Sequence, residues 1–396
     1  MKRLLLGACF VAACVIVADV LAHHPYVQRR VSRLIGAGGT LERARERPTE
    51  YASTFAEARL RYWRVPGQAS DFATAPMTVL DDTTVLWMTR CGAWQLLRLR
   101  SASEPASLRS DSIRGVFCGH ESAGIKGALR LGRELLISTH VRDSTTRLVG
   151  FALLRLSLDS LGAPSAAPST LWQSPIVVAE PIKGIQTGGQ LVTDGTDHVL
   201  LTLGDLGRAD LARDSTSPFG KLLRVSLRDG SWTVFARGLR SPGGLTRDDE
   251  GNVWNTDHGP RGGDEVNLLR AGGDYGWPNV SYGTLYENGR NPEYYGNHFG
   301  SHEGYDKPAW VFVPSVGPSA VVQYPRNGTV EAWRGDLLVA SLKSETLFRL
   351  RKEGTRLAYA EPVLKVDDRI RTVHVLPSSA LLLQLEPDRI ALVTLR

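Results

Sequence analysis

Glu134-Leu135-Leu136-Ile137-Ser138-Thr139 is an apolar run of strand length bounded by polar residues, and His198-Val199-Leu200-Leu201-Thr202-Leu203 repeats its form. Four further stretches do the same: Thr84 to Thr89, Asn252 to Thr256, Asp336 to Ser341 and Ala380 to Leu385. Each is followed by a second apolar segment, respectively Phe151 to Leu156, Leu222 to Val225, Leu96 to Leu99, Val266 to Leu269, Leu347 to Leu350 and Ile390 to Leu395. Short, nearly continuous apolar runs between turn residues read as buried strands, and no helical period of comparable length competes with them.

Six such pairs at irregular intervals of tens of residues point to radial repetition. A small sheet cannot cover both of its own faces, so successive sheets stack around an axis and bury one another. The expected fold is therefore all-β, a six-bladed β-propeller spanning residues 55–396. Two packed β-sandwiches are the alternative, but they need a linker that the chain does not supply. Residues 158–182 and 279–312 read as loop insertions on one face, where functional loops are usually mounted.

Composition agrees with one large globular unit. Of 396 residues, 42% are hydrophobic and 22% charged, with 40 glycines and 21 prolines to serve many short strands and turns. The net charge of +6 calls for an anionic ligand, a membrane surface or a nucleic acid. No Lys/Arg run is interleaved with aromatics, so a nucleic-acid partner is not expected. Arg29, Arg30, Arg33, Arg43, Arg45 and Arg47 gather in residues 23–54, which read as a solvated basic linker.

Lys2 and Arg3 precede an apolar run from Leu4 to Ala22, broken only by Asp19, and Val20-Leu21-Ala22 offers small residues for cleavage. Residues 1–22 are thus either a removed export signal or a retained membrane anchor. Arginines downstream oppose the anchored orientation, which weighs toward cleavage. Either way the folded part is expected outside the cytoplasm, in the periplasm or beyond. Of four cysteines, Cys9 and Cys14 fall in that apolar run; Cys91 and Cys118 form a disulfide or remain two small buried hydrophobes.

Residues 237–278 carry the most specific string: Arg240 and its neighbours, then Asp257-His258-Gly259-Pro260-Arg261-Gly262-Gly263-Asp264-Glu265, ending Tyr275-Gly276-Trp277-Pro278. Around it, in order, stand Gly188-Gly189-Gln190-Leu191, Thr202-Leu203-Gly204-Asp205, Pro314-Ser315-Val316-Gly317, Trp333 to Leu338 and Asp368-Arg369-Ile370-Arg371. This set resembles the soluble aldose sugar dehydrogenases, relatives of the soluble pyrroloquinoline quinone (PQQ) glucose dehydrogenase. The resemblance covers roughly residues 55–396 and is strongest after 180.

The resemblance implies PQQ and Ca²⁺ as cofactors, an aldose sugar as substrate and an electron acceptor that the sequence leaves open. PQQ is a flat tricarboxylate, which needs fixed cations; guanidinium forks match carboxylates geometrically and lysine serves as a point charge. At family positions these are Arg240, Lys343, Arg369 and Arg371, joined by His258, Asp264 and the Ser315 hydroxyl. The carbonyls of Gly259 and Pro260 are implied for one calcium, and Glu265 with the Tyr275 backbone for a second, structural one.

One position departs from the family. Where its histidine base stands, two residues before the Gly-Gly step, this chain has Gln186, and the family arginine of that step is Gln190. Glutamine has no accessible basic pKa, and loss of a general base costs about 10²- to 10⁴-fold in rate. Asp205 occupies the place of the carboxylate that orients the histidine; it is either a solvated or capped acid or a relocated base, and His258 is another candidate base. Three readings follow: a PQQ- and calcium-dependent sugar or alcohol dehydrogenase, a catalytically impaired propeller that binds PQQ, a sugar or a protein, and a lactone or ester hydrolase. The four-cation cradle argues against the last.

Overall fold

The second strand of each blade explains the rest of the architecture. In the computed structural model, Val85–Met88, Leu135–His140, Val199–Leu203, Val253–Asp257, Leu337–Ser341 and Leu381–Leu385 are buried at every position. A strand covered on both faces reads as a continuous apolar run, which is why these six segments stand out in the sequence. Successive side chains point to opposite faces, so one strand feeds two cores. Leu201 packs against Leu136, Phe151 and Leu153 of the preceding blade, whereas Leu200 joins Val253 and Leu269 of the following one.

The structure describes residues 49–52, 56–65, 76–99, 105–118, 123–165, 167–175, 178–179, 186–284, 298–299, 301–386 and 388–395. Residues 1–22 and most of the basic stretch lie outside this set; among the described residues no helix is long and apolar enough to cross a membrane.

Six antiparallel four-stranded blades are present. Blade 1 is Met77–Val79, Thr84–Met88, Ala93–Arg98 and Ala106–Ser112; blade 2 is Ile125–Leu131, Glu134–Arg142, Leu148–Ser157 and Ser169–Gln173. Blade 3 comprises Gly188–Asp194, His198–Leu203, Lys221–Ser226 and Trp232–Arg237, and blade 4 Pro242–Arg247, Val253–Asp257, Asp264–Leu269 and Trp310–Phe312. Blade 5 is Pro318–Gln323, Leu337–Ser341, Thr346–Glu353 and Arg356–Lys365. Blade 6 takes Ile370–Val375, Leu381–Leu385 and Arg389–Leu395 from the end of the chain and Glu57–Arg64 from near its start, paired from Ala58↔Leu395 to Arg64↔Arg389. That shared blade closes the ring: Trp63, Leu382 and Ile390 pack on Met77, Val85 and Trp87 of blade 1.

Three boundaries differ from the sequence reading. Thr49–Ala52 pairs with Glu57–Arg64, so the sheet begins before residue 55. The stretch 158–182 contains the fourth strand of blade 2, and Val178–Ala179 also pairs with Leu148–Ser157. The stretch 279–312 ends in the fourth strand of blade 4. Outer strands of this kind face solvent on one side and lack a long apolar run; Ala106–Ser112, for example, is almost wholly exposed.

Cys91 and Cys118 are joined in a disulfide across a sequence separation of 27 residues. In the chain-entropy account, a loop of that size stabilises the fold by about 3–4 kcal/mol. The C91S/C118S double variant is therefore expected to unfold at a clearly lower urea midpoint than the oxidised wild type. An unchanged midpoint would remove the bridge from the stability of blade 1.

Candidate functional site

Antiparallel alternation brings the segments before each first strand and the loops between second and third strands to the same face of the ring. Gln186, Arg240, Ser315 and Arg369 precede first strands, while Asp205, the 258–263 turn and Lys343 lie in second-to-third loops. The sequence-predicted residues therefore collect at one mouth.

The first strands carry a second device. In blades 2 to 6 the register slips near the strand start, between Ile125 and Gly127, Gly188 and Leu191, Pro242 and Gly244, Pro318 and Ala320, and Ile370 and Thr372. Bulges bend a strand and re-aim the extra residue. The residues so displaced are Lys126, Gly189 with Gln190, Gly243, Ser319 and Arg371. Neighbouring bulges are tied together: Gln190 Nε2 donates to the Lys126 carbonyl at 3.1 Å, Ser138 Oγ to the Gly189 carbonyl at 2.5 Å, and Ser319 Oγ to the Ile370 carbonyl at 2.6 Å. Gly189 has φ +103°, and a Cβ there would lie 2.4 Å from the Lys126 Cβ, so only glycine admits this approach.

Cations dominate the mouth. Arg371 and Arg369 both pair with Glu386, the latter at 2.8 Å. Desolvation, then the charge of Arg369, pushes the Arg371 pKa below its ordinary value. Lys126 is 8% exposed, and burial followed by the charges of Arg371 and Arg90 lowers its pKa to about 7. Arg90 itself holds the start of that strand, donating Nη1 to the Ala123 carbonyl at 3.0 Å and accepting the Ile125 N–H at 2.9 Å. Lys343 is exposed, with its N–H on the Val316 carbonyl at 3.0 Å.

Arg240 occupies the centre of the long motif. Its Nη1 donates to the carbonyls of His258 and Gly259 at 2.9 and 3.0 Å, and its guanidinium stacks over Trp277 at 5.3 Å. The Arg240 and Ser241 N–H groups donate to Asp257, whose pKa burial and the nearby Glu265 raise to about 8. His258 is lowered from its usual value, first by burial, with Arg240 and Arg371 among the charges acting on it. Asp264 is spent on the backbone: Oδ1 accepts the Gly259 N–H at 3.1 Å, and Oδ2 those of Val316 and Gly317 at 2.9 and 2.8 Å.

Asp205 is 1% exposed and also committed. Its Oδ1 accepts the Gly207 N–H at 2.8 Å and its Oδ2 the indole N–H of Trp277 at 2.7 Å, while burial raises its pKa to about 6. Both oxygens thus have hydrogen-bond partners, whichever role the acid plays. Gln186 stands beside it at φ +63°, its carbonyl accepting the Leu206 N–H at 3.0 Å.

Glu265 and Tyr275, whose carboxylate and backbone the resemblance implies for a structural calcium, have these side-chain partners. Glu265 pairs with buried His302 at 2.9 Å and accepts from Asn267 at 3.2 Å; the Tyr275 hydroxyl donates to the Leu268 carbonyl and accepts the Arg270 N–H at 3.1 Å. Among the described residues no cluster of His, Cys, Asp or Glu is arranged to hold a metal.

Sequence reasoning missed Lys126, Arg90 and Glu386. A signal existed for the first: Ile125-Lys126-Gly127 and Ile370-Arg371-Thr372 share one pattern, a cation directly after isoleucine at the head of an inner strand.

The family model described as glucose / sorbosone dehydrogenase matches residues 136–393. The chain is 27% identical over 213 residues to the aldose sugar dehydrogenase YliI of Escherichia coli, covering 50% of this chain and 56% of that protein. It is 26% identical over 274 residues to quinoprotein glucose dehydrogenase B of Acinetobacter calcoaceticus, covering 49% and 57%. The chain thus spans a little over half the length of these curated relatives. The crystal structure of the apo-form Escherichia coli soluble aldose sugar dehydrogenase shares the fold, with a TM-score of 0.70 at 20% identity over 85% of this chain and 99% of that one. On the extent of the family match, this chain is a member of the glucose / sorbosone dehydrogenase family.

Proposed function

We propose that the mouth binds PQQ and that the protein is a PQQ-dependent oxidoreductase acting on an aldose sugar or related alcohol. The supporting observation is a set of buried donors that lack an acceptor. Ser315 Oγ, Arg240 Nε and Arg371 Nε are all buried without a hydrogen-bond partner among the described residues. Buried polar groups are rarely left so, and a carboxylate-bearing ligand would satisfy them. Arg371, Arg369, Arg240 and Lys343 suit a tricarboxylate, and Arg369 and Arg371 both pair with Glu386. A hydrolase needs no such excess of cations. The relatives named as sugar dehydrogenase and quinoprotein glucose dehydrogenase support the same reading.

PQQ, when bound, would supply a hydride acceptor for sugar oxidation. Arg371, Arg369 and Lys343 would hold its carboxylates, and Arg240 would add a further positive charge. Asp205, through Trp277, fixes the floor on which Arg240 lies. Gln186 contributes no base, so turnover in this chain is expected to be slow.

Calcium fits these residues poorly as they are arranged. The Gly259 carbonyl already accepts Arg240, and both oxygens of Asp264 receive backbone donors. A guanidinium, that of Arg240, stands at the carbonyl where a divalent ion would be sought.

Titrating purified protein with PQQ, with and without Ca²⁺, tests the proposal, followed by dye-linked oxidation of a panel of aldoses. Saturable binding with measurable, slow oxidation is expected. Binding with no oxidation selects the alternative, a catalytically impaired PQQ-binding propeller. No binding sinks the assignment. Export to the periplasm or beyond belongs to the same proposal, since residues 1–22 have the composition of a signal.

A further inference from the structure

We propose that Lys221, a buried lysine at the head of the third strand of blade 3, is a positioning residue for the mouth: its ammonium fixes the 204–220 loop in the shape that seats Trp277 under Arg240. The inference deepens the PQQ reading above and rests on it for the affinities it foresees.

The residue type is the first observation. Lys221 is 1% exposed, a place where an apolar side chain is the ordinary choice. Its Nζ donates to the carbonyls of Leu211, Phe219 and Ala212 at 2.8, 2.9 and 3.4 Å. A lysine has three protons to give, and here three carbonyls receive them. All three acceptors belong to the loop between the second and third strands. Two lie in the short helix Ala209–Arg213, near its end, where carbonyls have no partner within the helix.

The helix held in this way touches the site. Ala209 and Ala212 pack on Trp277. Arg213 grips Asp274, three residues before Trp277, through two bonds of 2.7 Å. At Gly220, beside the lysine, a Cβ would lie 2.4 Å from that of Ala212, so the loop closes tightly on the helix. The closure continues into the mouth: the Gly220 N–H donates to the Gly204 carbonyl at 3.1 Å, and the Asp205 N–H to the Arg240 carbonyl at 3.0 Å. Trp277 completes the circuit, with its indole N–H on Asp205 and its ring under the Arg240 guanidinium. Each link from the ammonium to Arg240 is therefore a direct contact, passing through Ala212 and then Trp277. A lysine serving stability alone could use any nearby carbonyls; this one gives all its bonds to the segment that supports Trp277.

Fluorine NMR of protein labelled with 5-fluorotryptophan reads the effect without any ligand. The chain has nine tryptophans, and W277F identifies the Trp277 resonance by its loss. In K221M that resonance is expected to shift or broaden more than any other. Titration with PQQ reads the consequence: K221M and W277F should each raise Kd at least tenfold. The K221M/W277F double variant should bind no more weakly than W277F, because the lysine acts through the indole. An unmoved Trp277 resonance in K221M overturns the inference, and so does a double variant whose losses multiply. Should K221M fail to fold, K221Q is read by the same two measurements, since its shorter amide has two protons and cannot serve three carbonyls. A wild type that takes up no PQQ defeats the underlying reading and leaves the resonance to decide this one. A wild type that binds PQQ, with Trp277 unmoved in K221M, defeats this inference alone.

Discussion

Replacing Gln186 with histidine is expected to raise the rate of sugar oxidation by the PQQ-loaded protein about 10²- to 10⁴-fold, the usual worth of a general base. Position 186 tolerates the change. Its φ of +63° lies in the left-handed region, where histidine is among the better-accommodated side chains. Its backbone carbonyl anchors the Leu206 N–H, so the loop that carries Asp205 does not depend on the side chain. The imidazole would stand beside Asp205, whose two oxygens are engaged by Gly207 and Trp277. A carboxylate oxygen has two lone pairs, so Oδ1 can accept an imidazole N–H without giving up the Gly207 N–H.

The sign of the pH dependence follows from the role. Only neutral imidazole accepts a proton, so the Q186H rate should rise with pH through the pKa of the new histidine, and level off above it. Arg240 and Arg371 on the same face favour the neutral form, whereas the Asp205 carboxylate beside the ring favours the charged one. PQQ affinity should be unaltered, placing the gain in kcat. If oxidation is no faster in Q186H while PQQ still binds, the missing base is not what limits this chain.

The parts of the fold legible in sequence were those buried on both sides. The six second strands are apolar at nearly every position because each is sandwiched between two blades, and hydrophobic content alone reveals them. The first strands are harder, because their chemistry is backbone chemistry. Gly188-Gly189-Gln190 and Pro242-Gly243-Gly244 make bulges where a Cβ would strike the next blade, and nothing in apolar periodicity marks them as strands.

The site divides along the same line. Arg240, His258 and Asp264 were visible because they sit in one contiguous motif. Other pairings join residues far apart in the chain: Trp277 lies 72 residues from Asp205, and His302 lies 37 from Glu265. Lys126 was invisible for a different reason: one lysine among glycines and small apolar residues looks like a surface strand until the repeat aligns it with Arg371. Asp264 shows the converse. Its type and motif suggest a cofactor ligand, and the fold adds that its oxygens accept three backbone N–H groups.

Arg371→Gln should weaken PQQ binding about 30- to 3,000-fold, since truncating one partner of a desolvated charge pair costs about 2–5 kcal/mol and each 1.4 kcal/mol is tenfold. Arg371 is where the charges acting on His258 from blade 4 and on Lys126 from blade 2 meet. It also bonds Glu386, as Arg369 does. Loss of affinity alone would therefore not separate a ligand-binding role from support of Glu386, and Glu386→Gln makes that separation. If Arg371 serves only to neutralise Glu386, both substitutions disturb the same pair and both weaken binding. If the guanidinium serves a bound carboxylate, removing the competing acid leaves Arg369 and Arg371 more positive, and E386Q binds PQQ at least as tightly as wild type while R371Q binds far less. Added salt should erode wild-type affinity more steeply than that of R371Q, because the variant has lost one of the charges that salt screens. Equal weakening in both variants would assign Arg371 to the scaffold and leave the mouth without its central anchor.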